Sequence, residues 1–542
     1  MFFLIFLRFA SSSEVVSDND ILMTKQTYGQ CRRNLSVDGN KLTIGGKQYD
    51  RGIGTHATSM IPITIPQNVK ALTGACGIDD ETTNNPAVIF QISSGSEVLW
   101  SQLKKRGEEA STFTVEIPKG ATKLYLLAGE LDASKNLFVQ DTNQNDYDHA
   151  DWVNLQWSTN SFTIKKSDQI PFQYHNTNGN DFGPMIRKQI STARSDPGST
   201  IIIPKGEYHF YASGALKMSF HVSNHDQPAY QPVAIPLIDL KDVTLDCSDS
   251  VFIFHDLLHP IVVLDSQNVT IKNVKIDYFR PFYTQGVVTD TGYFSTTIRI
   301  DRELYPYHVD LGRLVFEHEG FTHGIEGVTL YKKENKMIVA GTADYLIVGL
   351  FFENADGTCT FSQNLQGDGV EVGDIINFHT NWRPYPAVTI YRAIGTVMDN
   401  VHICDSQGMA VLSQRSEDIT FINSGVEYSD ETRYTSSHCD AVHFSNCRGH
   451  IQVENSLFEG MLDDSINVHS TSLRITSIDG STITLQYMHS QSVGFETFLP
   501  NENVQFIKAQ TLELSEIRKV VQVRKLETTK LQITIDGTVP SG

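Results

Sequence analysis

Three aspartates set the chemistry this chain could do. Asp440 stands in the phrase SHCDAVHF, and Asp463 and Asp464 stand together in MLDDSINVH. The separations are 23 and 24 residues. Each acid lies just before a short run of alternating apolar residues, AVHF in one case and SINVH in the other. Such runs read as strands. In a coiled parallel β-structure with turns of about this length, the two phrases fall on neighbouring coils. Strands there are about 4.8 Å apart, so the carboxyls can share one site. Crowded carboxyls push one another's pKa values apart, and a protonated acid beside an ionised one is what glycosidic cleavage needs. The same cluster could be an acidic turn ladder or a calcium site, because Ca²⁺ also prefers oxygen ligands.

The elements that must carry these acids repeat upstream. PLIDLKDVTLDC, IVVLDSQNVTIKNVKIDYF, AIGTVMDNVHICDS, EDITFINSGVEYS and GHIQVENSLFEG each show apolar alternation, an asparagine, then alternation again. Asn273, Asn400, Asn423 and Asn455 hold the equivalent place. A fixed asparagine at irregular spacing suits a right-handed parallel β-helix whose coils vary in length and whose turn residues stack. The β-helix is expected over residues 161–285 and 386–470, with a short capping helix in FGPMIRKQISTAR. Residues 286–385 and 471–542 interrupt it with short alternating strands and read as inserted β-barrels. If the second is an insertion, the β-helix continues beyond residue 542 and this chain is incomplete at its C-terminus. Residues 14–160 alternate in the same way, as in VIFQIS and KLYLLAG, and read as a β-sandwich. The chain is therefore expected to be all-β.

Bulk properties narrow the partners. With 542 residues the chain is long enough for several domains. A formal net charge of −20 argues against nucleic acid and anionic membranes. No run of 18 apolar residues exists, so no membrane span is expected. The apolar run in residues 1–13 reads as the tail of a secretory signal, which implies a secreted or cell-surface protein. The seven cysteines form no CxxC pair, so no zinc signature is present. Nothing in the sequence speaks to oligomeric state.

The phrases IGGKQYDRGIGTH (44–56), CGIDD (76–80) and HADWVNLQW (149–157) resemble NPCBM-type domains, carbohydrate-binding module family 51. That resemblance implies a galactose-related or blood-group-type glycan ligand. His56, Asp79, Asp80 and Trp152 fall in these phrases and either touch the glycan or organise loops and core. From about residue 165 onward, MLDDSINVHSTSL, GMAVLSQRSEDITF, HCDAVHF and IDYFRPFYTQG resemble glycoside hydrolase family 110. That family's exo-acting α-1,3-galactosidases use a parallel β-helix with inserted β-barrels and invert the anomeric configuration. The resemblance assigns its catalytic carboxylates to Asp440, Asp463 and Asp464.

Further residues are expected to bind the sugar. Arg415 lies 25 residues before Asp440, about one coil below, and should sit near the pocket floor. His443 and His469 follow the acids and could hold hydroxyls. Asp277 closes an earlier coil. Trp382 and Arg383 sit where the first insertion rejoins, and the indole could stack on galactose. Two carboxyls suffice for hydrolysis, so no cofactor and no metal is expected. The competing readings are another β-helix polysaccharide hydrolase or lyase, and a non-catalytic adhesin. The site region has few lysines, which disfavours an anionic substrate.

Overall fold

The computed structural model describes residues 14–540 apart from residues 84, 133–136, 139–147, 161–179, 227, 343–346, 348 and 509. Residues 1–13, read above as a signal remnant, lie outside the described residues.

The N-terminal module is a sandwich of two antiparallel sheets. One contains Ser59–Thr64, Lys123–Asp132, Ala87–Ser94 and Glu97–Lys105; the other contains Ala71–Ile78, His149–Ser158 and Gly52–His56. Alternation explains the layers: Val88, Phe90 and Ile92 point into the sandwich core, where Trp152 packs edge-on against Phe90 and Phe113. Strand Ala87–Ser94 is buried on both faces, however. Its other face meets the second domain. Ile89, Met60, Tyr125 and Leu127 form one apolar cluster with Met218, Val262, Leu264, Tyr391 and Leu412. At the edge of this seam Asp265 receives Lys123 Nζ at 2.7 Å and Arg392 through two nitrogens at 2.8 Å. Burial alone would raise the Asp265 carboxyl, but the two cations hold it well below the usual carboxylate range.

The second domain is a parallel β-helix. Its first sheet runs Lys241–Phe254, Gln267–Tyr278, Ile394–Ile403, Glu417–Ile422, Arg448–Glu454. Its second runs Gln231–Ile238, His259–Leu264, Val388–Tyr391, Val411–Gln414, Val442–Ser445, Ile466–His469. Neighbours along both are parallel and in register, as in Val411↔Val442 and Val442↔Ile466. Inward residues such as Val411, Ala441, Val442 and Phe444 fill one core with Ile390, Ile403 and Phe421. Helix Gly183–Arg194 closes one end, burying Ile186, Ile190 and Ala193 in that core. A helix over the first coil hides an otherwise open sheet edge.

The corners of the coils are left-handed. Asn273, Asn400, Asn423 and Asn455 have φ values of 61°, 56°, 50° and 49°. Asparagine tolerates this region because its short amide bonds locally. The amides also bond along the stack: Asn400 donates to Asn273 at 3.0 Å and Asn273 to Asp246 at 2.9 Å. A second corner, after the second sheet, is equally left-handed at Asp239, Asp265, Arg392, Arg415 and Asn446.

Two antiparallel units project from the β-helix. Strands Thr284–Thr291, Thr296–Ile300, Gly327–Tyr331, Phe351–Glu353, Cys359–Phe361 and Ile375–His379 pair only with one another among the described strands. They enclose their own core around Ile298, Phe316, Phe361 and Phe378. Leu473–Asp479, Thr482–Tyr487, Asn503–Ile507, Leu514–Glu527 and Lys530–Ile535 make the second unit. All seven cysteines are free thiols.

Candidate active site

The acids occupy one corner of the β-helix, where chain enters the second sheet. Register puts Asp464 one coil above Asp440: the Ala441 N–H donates to the Asp464 carbonyl at 2.9 Å, and the Ala410 N–H to the Asp440 carbonyl at 2.9 Å. Because Val442 and Phe444 point into the core, the alternate residues His443 and Ser445 face away from it, and the acids lie at the corner just before the strands, outside the alternation.

Two of the acids repeat one arrangement on successive coils. Asp440 Oδ2 lies 2.6 Å from His443 Nδ1, three residues on. Asp464 Oδ2 accepts the Asn467 amide at 2.9 Å, also three residues on. His443 and Asn467 are register partners. Asp463 has no such donor three residues ahead. Its Oδ1 accepts the Asp464 N–H at 3.1 Å, and its Oδ2 lies 3.6 Å from Arg383. Burial raises the Asp463 carboxyl above its ordinary value, the Asp440 and Asp464 charges add to this, and Arg383 opposes it. Asp440 is 2% exposed, while Asp463 and Asp464 open to solvent.

Walls on three sides bound the cleft. The Arg383 backbone and the Asp226 loop clasp each other: Arg383 N–H donates to Asp226 Oδ2 at 2.8 Å, and Asp226 N–H to the Arg383 carbonyl at 3.1 Å. In the same loop His225 is fully buried. Its Nε2 accepts the Met409 N–H at 3.2 Å, and its Nδ1 faces the Ser223 carbonyl at 3.0 Å. Burial lowers its pKa to about 3, so it stays neutral. Opposite stand Trp382 and the aromatic residues of the first unit, with Trp382 5.9 Å from Phe321 and 6.3 Å from Phe282. His438, just before Asp440, packs at 5.1 Å on Phe282 and 6.0 Å from His379. The second unit closes the third side through His221 to the Val493 carbonyl at 2.9 Å and Gln491 to Asp226.

The structure thus brings Asp440, Asp463, Asp464, Arg383 and Trp382 around one cleft. Other expected positions need correction. Arg415 is not at the floor. It lies at the far end of its strand, at the left-handed corner with φ 46°, whereas the acids lie at the near end. Its guanidinium bonds the Glu496 and Thr497 carbonyls at 2.7 and 3.2 Å and pairs with Glu502. It anchors the second antiparallel unit. One coil of sequence separation fixed the layer but not the position along the strand. Asp277 is also displaced. It is 8% exposed beneath the first unit, beside Asp405 and Arg433. His443 is 1% exposed with both ring nitrogens engaged, Nδ1 by Asp440 and Nε2 by His469 at 2.7 Å. It has no nitrogen left for a hydroxyl, and the His469 Nε2 is occupied by the same contact.

His225, Asp226 and His438 were not singled out from the sequence. The nearest signal was the SHCD phrase itself, where His438 precedes Asp440 by two residues. His225 carried none, since its partner Met409 is 184 residues away. In the module, Asp79 and Asp80 cap backbone N–H groups of Thr43, Gly45, Gly46 and Glu81, and Trp152 is core. His56 lies 5.6 Å from His149, ring to ring. Two cavities lie away from the acids. One of about 400 Å³ sits between the module and helix Gly183–Arg194; one of about 1110 Å³ sits under the second unit.

Comparison with known proteins bears on this arrangement. The NPCBM/NEW2 domain family matches residues 12–158, GLAA-B beta-barrel domain I matches 284–388 and GLAA-B beta-barrel domain II matches 482–542. A protein of Akkermansia muciniphila named alpha-1,3-galactosidase B is 40% identical over 97% of this chain and 66% of its own length. One of Parabacteroides distasonis with the same name is 31% identical over 64% of this chain and 58% of its own length. The chain therefore spans just under two thirds of these relatives. Among solved structures, CBM51 from Clostridium perfringens GH95 in complex with methyl-galactose covers 25% of this chain and 92% of its own, at 22% identity and a TM-score of 0.21.

Fold and domain matches together define the class: an all-β modular protein with an NPCBM-type sandwich ahead of a β-helix bearing two units that match the GLAA-B beta-barrel domains. Within that class the chain is similar to the proteins named alpha-1,3-galactosidase B.

Proposed function

We propose that the protein is a secreted or cell-surface inverting exo-α-1,3-galactosidase. It would release terminal α-linked galactose from blood-group-B-type or linear α-galactosyl glycans, with the module holding galactose-containing glycans nearby. The observation that carries this reading is the stacking of Asp440, Asp463 and Asp464 on adjacent coils in unlike environments. Inversion needs one protonated carboxyl to give its proton to the leaving oxygen and one ionised carboxylate to take a proton from the attacking water. Asp463 suits the first role, because burial, and then the Asp440 and Asp464 charges, push its carboxyl up against the pull of Arg383. Asp440 suits the second, because a ring nitrogen held against it can stabilise its charge. Asp464, held by the Asn467 amide, adds a smaller upward push on the Asp463 carboxyl. Arg383 and Trp382 supply a cation and an aromatic face to the sugar.

The test is incubation of the protein with a terminal α-1,3-galactosyl trisaccharide, followed by ¹H NMR before mutarotation. The reading expects β-galactose first. α-Galactose as first product would end the inverting mechanism, and no galactose at all would end the galactosidase reading.

A further inference from the structure

The donor that Asp440 relies on is itself in contact with a second imidazole. Asp440 Oδ2, His443 Nδ1, His443 Nε2 and His469 Nε2 form an unbroken line, with contacts of 2.6 and 2.7 Å. The two rings stand at 86° with centroids 4.7 Å apart, which aims one ring nitrogen at the other. Each contact holds a single proton. With both imidazoles neutral, two arrangements exist, which differ by one proton on Asp440. In one, His469 donates to His443 Nε2, His443 carries its hydrogen on Nδ1, and Asp440 accepts as a carboxylate. In the other, Asp440 donates as an acid, and His443 passes its own hydrogen to His469.

We infer that His469 is a positioning residue that selects the first arrangement, so that His443 presents an N–H to Asp440 and keeps it ionised as the base. This rests on the proposed hydrolytic reading. The geometry favours it in three ways. His443 is 1% exposed and Asp440 2% exposed, so water does not replace either contact. Asp464, in the same place one coil above, receives the amide of Asn467, which can only donate from its nitrogen. Asp440 and Asp464 are then both acceptors, whereas Asp463 has no such side-chain donor three residues on. Burial and the neighbouring His443 also lower the His469 pKa, which favours the neutral ring that has one hydrogen to place. The other titratable and charged groups around the line are Arg383 and the neutral His225 from the walls and Asp463 and Asp464 from the coil above. None of them meets His443 Nε2.

The step balances without a further reagent. Water adds to the anomeric carbon as its O–H proton passes to Asp440, and the bond to the leaving oxygen breaks as that oxygen takes the proton of Asp463. His443 and His469 change no bond; they set which carboxyl is empty at the start.

The experiment compares His469→Ala and His469→Gln in the full chain. Glutamine keeps an N–H for His443 Nε2; alanine does not. The Ala variant is expected to lose roughly 10–100-fold in kcat with KM little changed, less than the roughly 10²–10⁴-fold of removing the base itself. The acidic limb of its rate profile should move to higher pH, since Asp440 loses its fixed donor. The Gln variant should recover both. An unshifted acidic limb in His469→Ala, or equal loss in both variants, would overturn the inference. Selective ¹⁵N labelling of histidine gives a readout free of turnover. His443 should show a protonated Nδ1 and a bare Nε2, and the opposite tautomer would refute the selection even in a protein that releases no galactose.

Discussion

Charge at single residues decides the reaction. Replacing Asp463 or Asp440 with asparagine should lower kcat by about 10²–10⁴-fold, the usual weight of one acid or base. Galactose affinity should change little, because Arg383 and Trp382 remain; calorimetry with galactose checks this. Arg383 opposes the upward shift of Asp463 from 3.6 Å. In Arg383→Gln that opposition is gone and Asp463 holds its proton to higher pH. The alkaline limb of the rate profile, which reports loss of the acid's proton, should therefore move upward. A downward move in stopped assays across pH would mean that Asp463 is not the acid. The histidines show how a residue type misleads at this scale. His443 looked like a hydroxyl ligand, yet burial and two engaged nitrogens give it to Asp440 instead.

Elements decide which residues reach the cleft. In a β-helix, sequence spacing sets the coil, and position within the strand sets the end. Asp440 and Arg415 lie on adjacent coils but at opposite ends of their strands, Asp440 before Val442 and Arg415 after Gln414. Arg415 is the register neighbour of Arg392, since Tyr391 pairs with Gln414, and both turn the corner with φ near 50°. Arg415→Ala should thus act on stability. It removes charge-assisted bonds to Glu502 and to two carbonyls, interactions that contribute about 1.5–3 kcal/mol each at most. The second antiparallel unit should loosen first in hydrogen exchange, with kcat at 25 °C intact. A loss of kcat without a loss of melting temperature would return Arg415 to the site.

Across the whole molecule, the first unit is joined to the β-helix through a buried carboxyl pair. Asp405 accepts the Phe282 and Ser406 N–H groups at 2.9 Å. Burial raises its pKa to about 8, the Asp277 charge adds to this, and Arg433 opposes it. A folded pKa above the unfolded one means the fold prefers the protonated form. The resulting stability is complete below the unfolded value near 4 and fades as pH rises through about 8. Melting temperature should accordingly fall between pH 5 and 9. In Asp277→Asn the amide oxygen can still accept the Tyr278 N–H, but the neighbouring charge is gone. That variant should lose less stability over the same range, and calorimetry at each pH measures it. The module is equally fused. Ile89, Tyr125 and Leu127 bury against the β-helix, so a test of glycan binding by the module belongs in the full chain.

Period-two alternation and the recurrent asparagine were enough to read a β-sandwich, a parallel β-helix and its capping helix, because those patterns act locally. Residues that prefer left-handed corners mark coils wherever they fall. The three acids were legible too, since spacing of one coil stacks them and the phrase around them is distinctive. The cleft's walls were not. His225 reaches Met409, and Asp226 reaches Arg383, across loops of more than 150 residues. No local pattern encodes such contacts, because they depend on how two inserted units and one long loop close over the same corner. What makes the surroundings of the acids unlike was likewise visible only in three dimensions. Asp463 and Asp464 are adjacent in sequence and alike in type, and only the Asn467 amide, Arg383 and the buried Asp440 make their surroundings differ.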